Sequence, residues 1–137
     1  MQLHASCVAF ANQAVLIRGA AGSGKSSLAL GLLAVGGALV ADDRTDIKMV
    51  DDWPVASSPP AIRGLIEARG IGILSVDPVG PTRISVVVDM DQIETERLPE
   101  DRTTDIGGCQ LPLLHNVESP CFVAAIRQYL IGGKAKV

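Results

Sequence analysis

The sequence predicts a single α/β domain with a mixed β-sheet. Residues 19–26 form a glycine-rich segment between an apolar run typical of a strand and a longer run typical of a helix. The opening of the chain contains two strand-like runs separated by the tight turn Ala11-Asn12, which would make the two strands antiparallel. Strand-like runs then dominate the middle of the chain. We therefore expect the sheet to be mixed rather than wholly parallel.

Length and composition fit one domain with an aliphatic core. The chain has 137 residues, of which 47% are hydrophobic and only 3% aromatic, so aliphatic side chains must fill the interior. We expect one domain over residues 1–131 and a frayed tail over residues 132–137.

Charge and cysteine usage exclude several kinds of partner. The net charge is −3 and Lys and Arg form no cluster, so we expect no nucleic-acid partner. No apolar run approaches the ~20 residues that span a membrane. The three cysteines form no C-x-x-C pair, which favours a reducing, cytoplasmic location.

The first part of the chain reads as two strands, a loop, a helix and a third strand. Residues 3–10 and 13–18 are apolar runs of strand length. Residues 27–35 repeat apolar side chains at helical spacing, and the glycine pair that follows stops the helix. Residues 38–41 are a short apolar run and predict a buried strand.

The middle of the chain is predicted to contain further strands and one long loop. Residues 47–50, 71–76 and 84–90 are read as strands. Residues 51–60 contain three prolines, and we expect them to form an irregular surface loop.

The last part of the chain is predicted to be exposed and then helical. Residues 94–105 are rich in charge and are expected to have weak structure. Ser119-Pro120 fits an N-cap followed by proline in the first helical position, and the helix should run to about Leu130.

The glycine-rich segment fits G-x-x-x-x-G-K-S, the pattern of a phosphate-binding P-loop. Glycines let the backbone wrap around an anion, and the following helix presents unpaired N–H groups to it. We expect Lys25 to reach the β- and γ-phosphates and Ser26 to ligate Mg²⁺. The alternative is a structural turn with an exposed lysine. The residues expected to bind the nucleotide are Gly19, Ala20, Ala21, Gly22, Ser23, Gly24, Lys25, Ser26 and Ser27.

Two carboxylates follow the apolar strand 38–41. Asp42 and Asp43 end the strand that comes directly after the loop's helix, where P-loop proteins place an acidic residue near the metal and the γ-phosphate. Successive side chains on a strand point to opposite faces, so the two carboxylates should differ in role. One could accept a proton from an attacking hydroxyl while the other serves the metal or pairs with Arg44. An acidic surface turn is the alternative.

A second charged segment lies among apolar residues and glycines. Glu67 and Arg69 are separated by one alanine, and isolated charges in apolar surroundings are costly unless they are paired or bound. Glu67 could complete a Mg²⁺ shell, and Arg69 could offset the charge of a transferring phosphoryl group. A structural pairing of Glu67 with Arg69 explains the pattern equally well. His4, alone on an apolar strand, is more often a satisfied core residue.

These motifs, in this order, resemble a known family. His4, the P-loop, the segment Leu39-Val40-Ala41-Asp42-Asp43-Arg44 and the segment Glu67-Ala68-Arg69-Gly70-Ile71-Gly72 are similar to the catalytic domain of bacterial HPr kinase/phosphorylase. The last segment is close to the family's E-I-R-G-L-G signature. The resemblance covers roughly residues 3 to 90.

The resemblance implies a fold and an activity. The fold is a P-loop domain akin to phosphoenolpyruvate carboxykinase, in a short form without the N-terminal domain of longer members. The implied activity is ATP- and Mg²⁺-dependent phosphorylation of a serine of HPr, the phosphocarrier of the sugar phosphotransferase system, with phosphorolysis as the reverse reaction. Family members are typically hexamers, so a homo-oligomer is expected.

The resemblance also implies roles for matching residues. His4 takes a catalytic position, Lys25 binds phosphate, and Ser26 with Glu67 binds Mg²⁺. Either Asp42 or Asp43 acts as the base, and Arg69 belongs to a loop required in both directions. Two alternatives stay open: a kinase of another acceptor, and a nucleotide-binding regulatory module without catalysis.

Overall fold

The computed structural model describes residues 1–136, which form a curled mixed sheet with two α-helices packed on one face. The strands are β1 Gln2–Leu3, β2 Ala5–Phe10, β3 Gln13–Arg18, β4 Ala38–Ala41, β5 Thr45–Val50, β6 Trp53–Ser57, β7 Leu65–Ala68, β8 Gly72–Ser75, β9 Thr82–Ile93, β10 Arg102–Ile106 and β11 Cys109–Asn116. The helices are α1 Lys25–Ala34 and α2 Phe122–Gly132.

The main sheet is mixed, as the sequence predicts. Its strands follow the order β1-β5-β6-β9-β3-β2-β4, and β10 and β11 join it at β9. β9 pairs in parallel with β3 and with β11, whereas the other pairings in the sheet are antiparallel. Only His4 separates β1 from β2, which lie near opposite ends of the order, and so the sheet must curl.

The core is aliphatic and lies on both faces of the central strands. Side chains of β2 alternate between the two faces, because successive residues on a strand point in opposite directions. Val8 and Phe10 join the cluster beneath the helices, whereas Cys7 and Ala9 join the cluster on the other face. Burial on both faces explains why these strands read as continuous apolar runs.

Helix α1 begins two residues earlier than its apolar pattern predicts. Gly24 is its N-cap, and Lys25 is its first residue. Leu28, Ala29 and Leu32 are buried beneath the helix, against the sheet. The helix therefore packs directly behind the glycine-rich loop and fixes where the loop ends, whereas β3 fixes where it begins.

The prediction of a loop over residues 51–60 is wrong, because β6 occupies its centre. A two-residue turn with φ of 51° at Asp51 and 62° at Asp52 joins β5 to β6, which is the backbone that tight hairpins require. Val50 and Trp53 flank the turn and form a hydrogen-bonded pair. The next pair, Met49 and Pro54, is a non-hydrogen-bonded pair, so β5 needs no N–H from Pro54. Proline is therefore tolerated in this strand.

The later strands agree with the sequence reading only in part. The predicted strand over residues 71–76 is present as β8, which pairs with β7 in a hairpin separate from the main sheet. The charged region over residues 94–105 contains β10 in its second half. β11 carries no strong strand pattern, because Pro112 interrupts it, yet it pairs with both β10 and β9.

The C-terminal helix starts later and ends later than predicted. α2 begins at Phe122, and Ser119 Oγ accepts the backbone N–H of Cys121 just before it. Gly132 still belongs to the helix, and Val137, the last residue of the expected frayed tail, lies outside the described residues. Neither helix within residues 1–136 combines the length and apolar character needed to cross a bilayer.

Candidate active site

Three segments of the fold meet at one cleft of about 330 Å³. The first is the glycine-rich loop between β3 and α1, the second is the turn after β4, and the third is the β7–β8 hairpin. The residues that line the cleft are Ala21, Gly22, Gly24, Lys25, Ser26, Ser27, Asp43, Glu67 and Arg69. Every one of them is a predicted site residue.

A larger groove of about 960 Å³ lies elsewhere, between α2, β11 and the segment that follows β9. It contains none of the predicted site residues, and its walls are mainly apolar. The smaller cleft is the better candidate because chemistry needs convergent polar groups, which volume alone does not supply.

Glycines give the loop a backbone that other residues would strain. Gly22 and Gly24 have φ of 81° and 100°, in the left-handed region. At Gly19, a Cβ atom would lie 2.6 Å from Ser23 Oγ, which leaves no room for a side chain. The loop can therefore approach a ligand with its backbone.

Lys25 is buried beneath this loop and holds it. The residue is only 6% exposed, and its Nζ donates to the carbonyl oxygens of Gly19 at 2.8 Å and Ala20 at 3.0 Å. An ammonium group has three donors, so one remains for a ligand at the cleft.

The loop also contains a buried polar atom without a partner. Ser23 Oγ is buried and makes no hydrogen bond within the described residues. Buried polar atoms are nearly always hydrogen-bonded, so this hydroxyl fits a group supplied by a ligand. Together with the glycine backbone and Lys25, it fits a bound phosphate chain.

Asp42 is buried, and both of its carboxylate oxygens accept hydrogen bonds. Oδ1 accepts the hydroxyls of Ser6 and Ser26, each at 2.7 Å, and Oδ2 accepts the backbone N–H of Glu67 at 2.9 Å. Asp42 therefore ties β2, the start of α1 and the β7–β8 hairpin together. Because these groups take up the carboxylate, it is poorly placed to accept a proton from a substrate.

Asp43 points into the cleft instead. Its side chain is 58% exposed and lines the pocket. The backbone φ is 68°, and the N–H of Arg44 donates to the carbonyl oxygen of Asp42 at 2.8 Å across it. A positive central φ with this hydrogen bond describes a γ-turn of the strained kind. The expectation that Asp42 and Asp43 face different ways is confirmed.

The β7–β8 hairpin brings Glu67 and Arg69 to the cleft. Both side chains are exposed and line the pocket. No ion pair joins Glu67 to Arg69 in the described chain. The alternative of a structural ion pair between Glu67 and Arg69 is therefore not observed.

The available oxygens fit a magnesium ion that is shared with substrate phosphates. Ser26 Oγ donates its proton to Asp42, which leaves its lone pairs free, and Glu67 offers a carboxylate on the same cleft. Mg²⁺ usually binds one or two protein oxygens together with phosphates and water. Residues 1–136 contain no group of three or more His, Cys, Asp or Glu arranged to hold a metal alone.

His4 is not a core residue, contrary to the reading from its apolar strand. It lies between β1 and β2 with its side chain 61% exposed, and Nδ1 is 3.9 Å from Asp43 Oδ1. His4 does not line the cleft itself, but it adjoins the residue that does. A charged attraction to Asp43 requires that the imidazole be protonated.

Two site residues were missed by sequence reasoning. Ser6 contacts both aspartates, and Asp91 accepts the backbone N–H of Ala20 with both carboxylate oxygens at 3.0 Å. Asp91 lies near the carboxyl end of β9, which neighbours β3 in parallel, so the two strand ends meet at the loop. The sequence does not reveal the strand order that brings Asp91 to the loop. Ser6 could have been found, because it is a polar residue within the apolar run of β2.

Comparisons with known proteins agree on one family. Residues 1–115 match the family model described as HPr Serine kinase C-terminal domain. The HPr kinase/phosphorylase of Thermoanaerobacter sp. (strain X514) is 41% identical over 112 residues, which are 79% of this chain and 36% of that protein. That of Burkholderia lata is 33% identical over 118 residues, covering 77% of this chain and 37% of its own length.

A solved structure shares the fold. The structure of the Hpr(Ser) kinase/phosphatase from Coxiella burnetii superposes with a TM-score of 0.78 at 25% identity, over 96% of this chain and 91% of that chain. The chain spans a little over a third of the length of the curated relatives it matches.

Proposed function

The chain belongs to the HPr serine kinase C-terminal domain family, and we propose that it is an ATP- and Mg²⁺-dependent kinase that phosphorylates a serine of HPr. The observation that carries the proposal is the shared cleft. A buried lysine, a hydroxyl, two carboxylates and an arginine from three separate segments converge there. Such convergence is what phosphoryl transfer needs, because its catalysis is mostly positioning and charge neutralisation.

The glycine-rich loop is the proposed nucleotide site, formed by residues 19–27. The first residues of α1 line the cleft, where unpaired N–H groups and the positive end of the helix dipole favour phosphate. Lys25 neutralises phosphate charge from beneath the loop, and Ser23 Oγ gains the partner that it lacks in the protein alone.

Ser26 and Glu67 would hold the Mg²⁺ ion, which supplies charge neutralisation between the phosphates when bound. Asp42 orients both ligands, because it accepts the Ser26 hydroxyl on one oxygen and the Glu67 N–H on the other. Arg69 adds a positive charge on the same wall, where it can offset charge that develops on the transferred group.

Asp43 is the proposed general base. Its carboxylate is exposed in the cleft, whereas the carboxylate of Asp42 is occupied by three hydrogen bonds. In the forward direction it accepts the proton of the attacking serine hydroxyl, and in phosphorolysis it returns the proton. His4, 3.9 Å from this carboxylate, is proposed to help orient it.

The test is incubation of the protein with purified HPr and γ-labelled MgATP, followed by identification of the labelled residue. We expect label on one serine of HPr, and none when Lys25→Ala replaces the wild type. Binding of MgATP without transfer would favour a regulatory module, and label on a different acceptor alone would favour another kinase. Added phosphate and labelled HPr would then show whether phosphorolysis also occurs.

We also propose a homo-oligomer, a hexamer by analogy with the family, acting in the cytoplasm. Three free thiols, at Cys7, Cys109 and Cys121, suit a reducing compartment. Sedimentation velocity over a range of protein concentrations tests the assembly state, and a monomer throughout would refute it.

A further inference from the structure

Ser6 is a fully buried hydroxyl on an apolar strand. It is 0% exposed, and the other residues of β2 are Ala, Cys, Val and Phe. A buried hydroxyl is costly unless it is hydrogen-bonded, so its presence in this strand requires a partner.

The Ser6 hydroxyl hydrogen-bonds to both aspartates of the site, as a donor to Asp42 and as an acceptor from Asp43. Its Oγ donates to Asp42 Oδ1 at 2.7 Å and accepts the backbone N–H of Asp43 at 3.1 Å. It therefore links a carboxylate that is fixed in the interior to the backbone of the carboxylate that faces the cleft.

The backbone that Ser6 holds is strained. Asp43 has a φ of 68° and lies at the centre of the γ-turn closed by Arg44 N–H and Asp42 O. Left-handed conformations at residues other than glycine persist only where the surroundings enforce them. Within the described residues, Ser6 Oγ is the one hydrogen-bond acceptor of the Asp43 N–H.

We propose that Ser6 is a positioning residue for phosphoryl transfer, because its hydroxyl holds the strained turn that presents Asp43 to the acceptor. This inference rests on the proposed function. Without Ser6, Asp42 keeps the Ser26 hydroxyl and the Glu67 N–H, so the metal side of the site is retained. The turn at Asp43 loses its anchor, so the carboxylate loses its orientation.

The experiment compares Ser6→Ala with Thr45→Val. Thr45 is also fully buried, and its hydroxyl donates to the carbonyl oxygen of Ala5 at 2.8 Å, next to Ser6, with no described hydrogen bond to either aspartate. Each substitution removes one buried hydroxyl. Transfer to HPr is measured for both, with rates normalised to the fraction of chains that bind MgATP.

We expect Ser6→Ala to lower kcat by about 10- to 100-fold while KM for MgATP changes by less than about threefold, because only the acceptor-side geometry is disturbed. Thr45→Val should keep kcat within about threefold of wild type. A merely structural role for Ser6 would affect both variants alike once rates are normalised. Equal kcat values for the two variants would therefore overturn the proposal.

A second readout does not depend on activity. Amide hydrogen exchange, measured by NMR, should accelerate at Asp43 in Ser6→Ala and not in Thr45→Val, since only the first removes its acceptor. Unchanged exchange at Asp43 would also overturn the role of Ser6. Absence of transfer by the wild type would remove the proposed function instead, so the two failures are distinguishable.

Discussion

Lys25 closes the loop from below, and the proposed nucleotide site depends on its amine. It holds the carbonyl oxygens of Gly19 and Ala20, and it is the one lysine that lines the cleft. At a hundred times its Kd, MgATP should stabilise the protein by ~2.7 kcal/mol, by mass action. Lys25→Ala should abolish this shift, whereas Lys48→Ala, on an exposed site of β5, should keep it. Thermal unfolding with and without MgATP measures both, and a full shift in Lys25→Ala would contradict the loop assignment.

Asp42 and Asp43 differ in the hydrogen bonds that their carboxylate oxygens accept, so their Asn variants should differ in transfer activity and in stability. Asp43→Asn removes the proton acceptor without breaking a described side-chain hydrogen bond, and we expect transfer to fall by about 10²- to 10⁴-fold with stability unchanged. Asp42→Asn replaces one carboxylate oxygen, an acceptor, with an NH₂ group, which is a donor and would face a hydroxyl or an N–H. It should cost about 1–3 kcal/mol of stability.

Urea denaturation and transfer assays, run on both variants, separate these effects. Equal losses of stability and of transfer in the two variants would contradict the division between an orienting Asp42 and a reacting Asp43.

At the scale of elements, the segment after β9 is held by one carboxylate. Glu94 is 7% exposed at its side chain. The backbone N–H of Glu96, with help from Arg102, holds the pKa of Glu94 below its ordinary value. Since the folded pKa is lowered, Glu94 stabilises the protein above its unfolded pKa, and this contribution is lost as pH falls through the folded pKa.

Glu94→Gln should therefore lower the Tm at neutral pH, and the gap from wild type should shrink in acid. Glu118→Gln, at an exposed carboxylate before α2, should change the Tm little at any pH. Scanning calorimetry between neutral pH and about pH 3, below the ordinary Glu pKa of ~4.3, provides the measurement. A gap that widened in acid would show that the lowered pKa is misassigned.

Elements with a clear local signal were predictable, and those defined by distant partners were not. The β2–β3 hairpin and α1 follow from a tight turn, apolar runs and a glycine stop, and the structure agrees within two residues apart from the break at His4. β6 was missed because the three prolines of residues 51–60 suggest a loop, although Pro54, which lies within β6, sits where the ladder needs no N–H. β11 was missed because its strand character comes from pairing with β9 and β10.

The candidate site was largely predictable because its motifs are local in sequence. Lys25, Ser26, Asp43, Glu67 and Arg69 line one cleft, as their spacing and the family resemblance led us to expect. What the sequence could not show is that Asp42 is buried and hydrogen-bonded while Asp43 faces the cleft, because this difference depends on segments far apart in the chain. Asp91 was missed for the same reason, because it reaches the loop through strand order.

At the scale of the whole molecule, the cleft joins two bodies that share few backbone hydrogen bonds. The β7–β8 hairpin forms its own two-stranded sheet, and it attaches to the rest through buried Ile66, through half-buried Leu74 and through the bond from Glu67 N–H to Asp42. If Glu67 and Ser26 share a magnesium ion, MgATP adds a bridge between the hairpin and the start of α1. The local opening of the hairpin should then become rarer.

Hydrogen-exchange mass spectrometry tests this bridge directly. MgATP should slow amide exchange both in residues 19–27 and in residues 65–75, whereas ATP with EDTA should protect the loop and leave the hairpin unprotected. Residues 102–116, which form β10 and β11 away from the cleft, provide an internal control whose exchange should not change. Glu67→Gln should abolish the protection of the hairpin by MgATP but keep that of the loop. Equal protection of the hairpin with and without magnesium would show that the metal does not couple the two bodies, because nucleotide contact alone would then account for the effect.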